Sequence, residues 1–234
     1  MGEVENALIT AARLILTLDE DLAEIISLSL QVSLSAVAVA ALIGVPLGGA
    51  LALLRFPGRK TVIVLLNAFM GLPPVVVGLA VYLMLSRMGP FGVFGLLYSP
   101  AAMIIAQSVL VTPIVAALSR QVFVDFWTEY EEQLRSLGAG RGRAILTLAW
   151  DARSNLVPPV LAGFGRATAE VGAVMIVGGN IDHVTRVMTT TIALETSKGN
   201  LALAMGLGIV LVMLSLAVNA SVFMANEAAT RSGR

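Results

Sequence analysis

A chain that runs from residue 25 to residue 54 without one charged side chain has few folds open to it. Crossing a bilayer as a helix takes roughly 20 predominantly apolar residues. This run exceeds that, and Pro46 inside it is expected to kink the helix. A second uncharged run covers residues 61–86, interrupted by Gly71-Leu72-Pro73-Pro74. Residues 87–100 hold Gly89, Pro90, Gly92 and Gly95, which read as a loop or re-entrant turn. A third span is expected over 101–118 with Pro113 inside it. A fourth is expected over 156–177 with Arg166 and Glu170, and a fifth over 201–224, after a polar stretch at 178–200. Hydrophobic residues make up 57% of the 234 and charged residues 13%, about half the roughly 25% of soluble domains. The expectation is an all-α polytopic membrane protein of about five transmembrane helices.

Charge sets the orientation and excludes several chemistries. Arg55, Arg59, Lys60, Arg120, Arg135, Arg141, Arg143, Arg153, Arg231 and Arg234 fall on one set of loops, and only Arg13, Arg87, Arg186 and Lys198 on the other. Basic loops stay inside, so residues 119–155 and the C-terminus are expected in the cytoplasm and the N-terminus outside. Residues 1–6 are acidic where a secretory leader would be basic, so no leader is expected. Val4, Leu8, Ala11, Ile15 and Leu18 share one helical face over 4–18, which predicts an interfacial amphipathic helix. Net charge is zero, so no basic field for nucleic acid exists. The absence of cysteine and the single histidine exclude thiolate and multi-histidine metal sites.

The charged stretch 119–155 has internal order. Thr128-Glu129-Tyr130-Glu131 fits a capping box, so a short helix is expected to start there, with Leu134 and Leu137 on its apolar side and Gly138 as its C-terminal stop. A second short helix is expected over 141–150, with Ile145, Leu148 and Ala149 apolar. Pro158 and Pro159 suit the first turn of the fourth span. The product is a helix–glycine–helix elbow shaped to enter a partner's groove.

Glu132-Gln133-Leu134-Arg135-Ser136-Leu137-Gly138, followed by Leu148-Ala149-Trp150, resembles the EAA loop of binding-protein-dependent ABC importer permeases. Gln133 and Leu134 replace alanines of that pattern, and Asp151 stands where proline is usual. Gly71-Leu72-Pro73-Pro74-Val75-Val76-Val77-Gly78 resembles the second-span motif of molybdate-type permeases, and Gly165-Arg166-Ala167-Thr168-Ala169-Glu170-Val171-Gly172-Ala173 their fourth-span motif. The run 170–181 with Trp150-Asp151-Ala152-Arg153 is most similar to the tungstate uptake branch. The resemblance implies a type I importer transmembrane domain over 25–226, behind an N-terminal segment 1–24 and ahead of a cytoplasmic tail 227–234. It implies a homodimer in the cytoplasmic membrane, two ATPase subunits that use ATP and Mg, an external oxyanion-binding protein, and no cofactor, metal site or catalysis in this chain. Glu132, Leu134, Leu137, Gly138, Ala139, Arg141 and Arg143 are the implied coupling residues. Independently, the chain's two lysines, Lys60 and Lys198, follow Arg59 and Ser197 and not the glycine that a P-loop requires.

Arg166 and Glu170, four apart, are expected on one helical face, either as a pair holding the bundle together or as a polar lining of the path. Gly44 and Gly48 permit close helix approach, within the chain or at a dimer seam. Pro46, Pro73, Pro74 and Pro113 are candidate hinges or static kinks. Asp19, Glu20, Asp21 and Glu24 read as a polar boundary or a docking patch, and His183 as solvated. Thr185, Thr189, Thr190 and Thr191 are either hydroxyl donors to a departing oxyanion or ordinary loop threonines. An ion-driven secondary carrier is the main rival, but no inverted repeat is found. A membrane-embedded enzyme is weaker still, since the spans hold no serine–histidine constellation.

Overall fold

The computed structural model describes residue 9 and residues 20–232. Apart from Ile9, the amphipathic segment expected over 4–18 lies outside the described residues. The described chain is helical, without strands: α1 Glu20–Leu53, α2 Arg59–Phe69, α3 Pro74–Leu85, a 3-10 turn Gly92–Phe94, α4 Pro100–Ser136, α5 Arg141–Asp151, α6 Val157–Thr168, α7 Gly172–Gly178, α8 Met188–Ser197 and α9 Leu201–Ser232. Helices α1, α4 and α9 are each long and apolar enough to cross a membrane, and the pairs α2–α3 and α6–α7, bent by 104° and 60° at short breaks, pass the same test only when each pair is taken together. Five crossings follow when each bent pair counts as one.

Local chemistry explains most boundaries. Glu20 and Asp21 occupy the first turn of α1, where carboxylates complement the helix dipole. At its other end Arg59 donates from Nε to the Leu51 carbonyl at 2.7 Å and from Nη2 to the Ala52 carbonyl at 3.0 Å, satisfying acceptors that the helix leaves open. Pro46 and Pro113 lie inside α1 and α4 and end neither. Pro73 and Pro74 do interrupt the second span: Pro73 is extended and Pro74 opens α3, the position where a missing N–H does no harm.

Three expectations are corrected. The helix of the third span does not end at 118, because α4 runs unbroken to Ser136 and carries the start of the charged stretch with it. The capping box at Thr128 does not form. The Thr128 hydroxyl instead donates to the Val124 carbonyl inside the helix at 2.9 Å, since no glycine or proline lies between Pro113 and Gly138. The fourth span is two helices, so Arg166 in α6 and Glu170 beyond its end do not share a face of one helix. The polar stretch 178–200 also contains a helix, α8, opened where the Val187 N–H donates to Thr190 Oγ1 at 3.1 Å.

The residues divide into two compact units, each drawing segments from several helices. One takes the described residues up to Ser35, Pro73–Gln107 and Ala167–Ser221; the other takes Ala36–Leu72, Ser108–Arg166 and the described residues from Val222. In the first, α3 crosses α7 closely: a Cβ on Gly78 would stand 2.7 Å from the Ala173 Cα. In the second, Gly44 and Gly48 face α4, where a Cβ on Gly48 would meet the Ala116 carbonyl oxygen at 2.7 Å and the Arg120 nitrogen at 2.8 Å. The Gly-x-x-x-Gly spacing therefore serves packing within the chain, where small residues let backbones approach. Overpacking costs about 1–3 kcal/mol, so Gly48→Leu is expected to lower thermal stability in detergent clearly. Gly208→Ala, with nothing within 4 Å, should be neutral in the same melting assay.

Candidate functional site

Two places carry the polar and strained features. The first, in the unit containing α3 and α7, is the break in the fourth span. Breaking a helix in lipid frees backbone groups that must find partners, and here side chains supply them. Glu170, 3% exposed, accepts the Ala173 N–H on Oε1 at 3.0 Å and so caps α7. The Thr189 hydroxyl donates to the Glu170 carbonyl at 2.9 Å. Gln107 Nε2 donates to the Ala167 carbonyl at 3.1 Å. At the far end of α7, the buried Thr185 hydroxyl donates to the Gly178 carbonyl at 2.6 Å and accepts the Ile181 N–H at 2.9 Å. Gly179 and Asn180 take the positive φ values, 73° and 51°, of that turn.

The threonines expected as oxyanion donors are thus occupied. Thr190 and Thr191 both donate to the Val187 carbonyl, and Arg186 pairs with Asp182 four residues before it in the turn between α7 and α8. Buried hydroxyls rarely go without a hydrogen-bond partner, and here backbone carbonyls supply it. Glu195 accepts from Lys198 Nζ at 2.8 Å and Asn200 Nδ2 at 3.0 Å; these bonds hold its carboxyl below the usual carboxylate range. No group of three or more His, Asp or Glu side chains fit to hold a metal occurs among the described residues.

His183 is not simply solvated. Its Nδ1 lies 2.7 Å from Glu24 Oε2, near the start of α1. The bond to Glu24, then the charges of Glu24, Asp182 and Asp21, raise the imidazole above its ordinary value against a smaller effect of desolvation. Asp182 is itself engaged by Arg186. A raised pKa in the folded state means that the contribution to stability is complete below about pH 6.5, the unfolded value. It is lost as pH rises through the folded value. As the chain has one histidine, its imidazole gives a single Hε1 resonance. That resonance is expected to titrate above pH 6.5, and in Glu24→Gln to move back toward it.

The second place, in the other unit, is the elbow. Helix α4 ends in a Schellman motif: the Ala139 N–H donates to the Leu134 carbonyl at 2.9 Å, the Gly138 N–H to the Arg135 carbonyl at 3.0 Å, and Gly138 has φ 69°. Helix α5 then buries Ala144 and Leu148 against Leu53, Phe123 and Leu156, flanked by Phe126, Trp127, Tyr130 and Leu134. Its opposite side is bare, with Leu146 73% and Trp150 70% exposed, beside Leu137 at 81%. Leu137 therefore belongs to the outer surface and not to the apolar side expected for it. Glu132, Arg141 and Arg143 are exposed and Ala139 half-buried. The Arg153 guanidinium lies 4.9 Å from the centre of the Trp150 ring. Sequence reasoning missed the roles of Leu146 and Arg153 here; the four-residue spacing of Leu146 and Trp150, out of phase with Ala144 and Leu148, was the available signal.

Of the other expected residues, Pro46 and Pro73 are exposed, Pro74 and Arg166 half-buried, and Pro113 buried. Among the described residues the chain is all-helical, with helices of membrane-crossing length, two bent helix pairs and an ordered polar elbow, as in an integral membrane protein. The chain belongs to the ABC transporter permease family. It is 41% identical over 217 residues, 93% of its length and 95% of the relative's, to the tungstate uptake system permease protein TupB of Peptoclostridium acidaminophilum. It is 39% identical over 204 residues, 85% and 88% of the two chains, to a probable anion ABC transporter permease protein of Haloferax volcanii. With the TupB permease of Campylobacter jejuni it shares 35% over 165 residues, 70% and 69% of the two chains. No family model matches the sequence.

Proposed function

We propose that this chain is the permease subunit of an ATP-driven importer that carries an oxyanion, tungstate, into the cell. The observation that carries the reading is the 41% identity to a tungstate uptake permease over 93% of this chain. In this reading two copies of the chain form the pathway in the cytoplasmic membrane. Two ATPase subunits use ATP and Mg on the cytoplasmic side, and an external binding protein delivers the anion. The chain itself is non-catalytic and holds no cofactor. The ten basic residues on one set of loops against four on the other favour an external N-terminus and a cytoplasmic elbow and tail.

The elbow is the coupling element. Its inner face is anchored by Ala144 and Leu148, so a push on Leu137, Leu146, Trp150, Arg141 or Arg143 is passed to the helices behind it. Glu132, Leu134, Gly138 and Ala139 hold the angle. Arg166 and Glu170 are assigned to a buried polar pair or to the polar part of the path, and Pro46, Pro73, Pro74 and Pro113 to kinks or to the gate between inward- and outward-facing states.

Gly138 tests coupling. A β-branched residue at φ 69° carries about 1–2 kcal/mol of strain, enough to shift the elbow about tenfold. A Gly138→Val complex is expected to assemble in the membrane while substrate-stimulated ATP hydrolysis and uptake fall together. Gly142→Ala, with open space around it, should leave both intact. Unchanged uptake by the Gly138 variant removes the elbow from the mechanism.

Uptake tests the substrate. Tungstate and molybdate are tetrahedral dianions of nearly equal size, so discrimination is assigned to the binding protein rather than the pore. Cells with and without this gene are given trace tungstate under excess molybdate or sulfate, and metal content is measured. Gene-dependent tungsten accumulation that resists the excess is expected. Tungsten content indifferent to the gene, with molybdenum or sulfate uptake lost instead, moves the substrate to a sister anion and leaves the coupling reading in place.

A further inference from the structure

Between Lys60 and Arg120 the chain has one charged side chain, Arg87. It stands just past the end of α3, on the loop that leads to α4, so it lies where two spans reach a membrane surface. Among the described residues it joins no ion pair. With Tyr82, Ser86 and Tyr98 it lines a cavity of about 480 Å³ closed by Gly92, Gly95, Leu85 and Leu97.

This cavity is built rather than incidental. The Phe91 N–H donates to the Met84 carbonyl at 3.0 Å and the Gly89 N–H to the Ser86 carbonyl at 2.8 Å, folding the loop back onto the helix end. The return is so tight that a Cβ on Gly89 would stand 2.1 Å from the Leu83 carbonyl oxygen. Tyr98 has φ 61°, unusual for a bulky residue. Its N–H donates to the Val177 carbonyl at 3.0 Å, and its ring lies so near Gly179 that a Cβ there would be 2.8 Å from it. The Tyr82 and Tyr98 rings meet edge to face with centroids 6.3 Å apart. Around the mouth the loop turns large apolar side chains outward: Met88 is 99% exposed, Val93 95% and Phe94 68%. Water is a poor solvent for these tips and the headgroup–acyl boundary a good one; tyrosines favour the same level.

We propose that this cavity binds the headgroup of an anionic phospholipid. The Arg87 guanidinium takes the phosphate, Tyr82 and Tyr98 wall the headgroup site, and Met88, Val93 and Phe94 enter the acyl region beside it; the Ser86 hydroxyl is held by the Leu83 carbonyl at 3.0 Å and is not a donor to the lipid. Arg87 is matched to a phosphate by charge and by its forked donors. No carboxylate within the loop competes for it, since residues 61–119 contain none. The apolar tips favour a lipid over a soluble protein partner, which would leave them in water whenever it departed. The inference rests on the membrane-spanning fold and not on the identity of the transported anion.

The test uses the full chain purified in neutral detergent, with retained lipid counted by native mass spectrometry during titration with dioleoylphosphatidylglycerol or dioleoylphosphatidylcholine. Phosphatidylglycerol is expected to be retained in preference to phosphatidylcholine. A basic side chain at an anionic surface contributes about a fivefold factor, so Arg87→Gln should weaken retention about fivefold while Arg87→Lys keeps most of the preference. A variant with Val93→Ser and Phe94→Ser, which leaves the lining side chains in place, should also lose retention. Equal retention by Arg87→Gln and the unaltered chain overturns the proposal, as does equal retention of the two lipids. Displacement of the lipid by millimolar inorganic phosphate or tungstate makes this a free-anion site and also overturns it. If Arg87→Gln abolishes stimulation by a binding protein in liposomes but leaves lipid retention intact, the loop is a protein-docking surface and the lipid reading fails.

Discussion

In hydrocarbon a backbone N–H or C=O without a partner has no water to turn to, and the rest of this structure depends on that constraint. Unbroken helices meet it automatically through their own ladders, which is why α1, α4 and α9 can be long. The bent fourth span meets it only by recruitment. Glu170 takes an N–H at the start of α7, Thr189 covers the Glu170 carbonyl, Gln107 covers Ala167, and Thr185 closes the turn at the other end. Each of these side chains is polar because the span is broken there.

Within lipid, apolar burial no longer drives helix association, so contact must come from shape. The close crossings use glycine against backbone, Gly48 on the Ala116 turn and Gly78 on Ala173. The larger side chains gather instead where α5 folds back, around Phe123 and Leu148. The chain thus packs in two ways: small residues where helices cross, and an aromatic–aliphatic cluster where a polar segment must be held in a fixed attitude.

How much of this was legible follows from which signals are local. Uncharged runs locate the spans because insertion depends on composition alone, and Gly138 announces its turn because a left-handed position needs glycine. The Thr128 capping box was misleading for a physical reason: a local cap motif yields when no breaker interrupts the helix and Phe123, Phe126, Trp127 and Tyr130 pack along it. The threonines at 185–191 have the composition of a donor set, but only the fold reveals that carbonyls of Gly178, Glu170 and Val187 already hold their hydroxyls. Arg166 and Glu170 were expected on one helical face because a 3.6-residue period was assumed through Thr168, where the helix ends. The bond between His183 and Glu24 joins residues 159 apart and left no trace in the sequence.

The elbow combines these two kinds of information in one element. Helix α5 has eleven residues, too few for an isolated helix to be stable in water, so its order must come from the face that carries Ala144 and Leu148. That dependence has a mechanical consequence. A helix held only through one face responds to force on the other face as a unit, because bending it would first have to undo the buried contacts. The Schellman turn at Gly138 adds a joint whose backbone is fixed by two hydrogen bonds rather than by a flexible linker. Exposed Leu146 and Trp150 would be a liability on a surface with no partner, and they sit on a segment whose inner face is anchored by Ala144 and Leu148. An apolar patch on a braced helix, flanked by Arg141, Arg143 and Arg153, has the form that the proposed coupling to another protein requires.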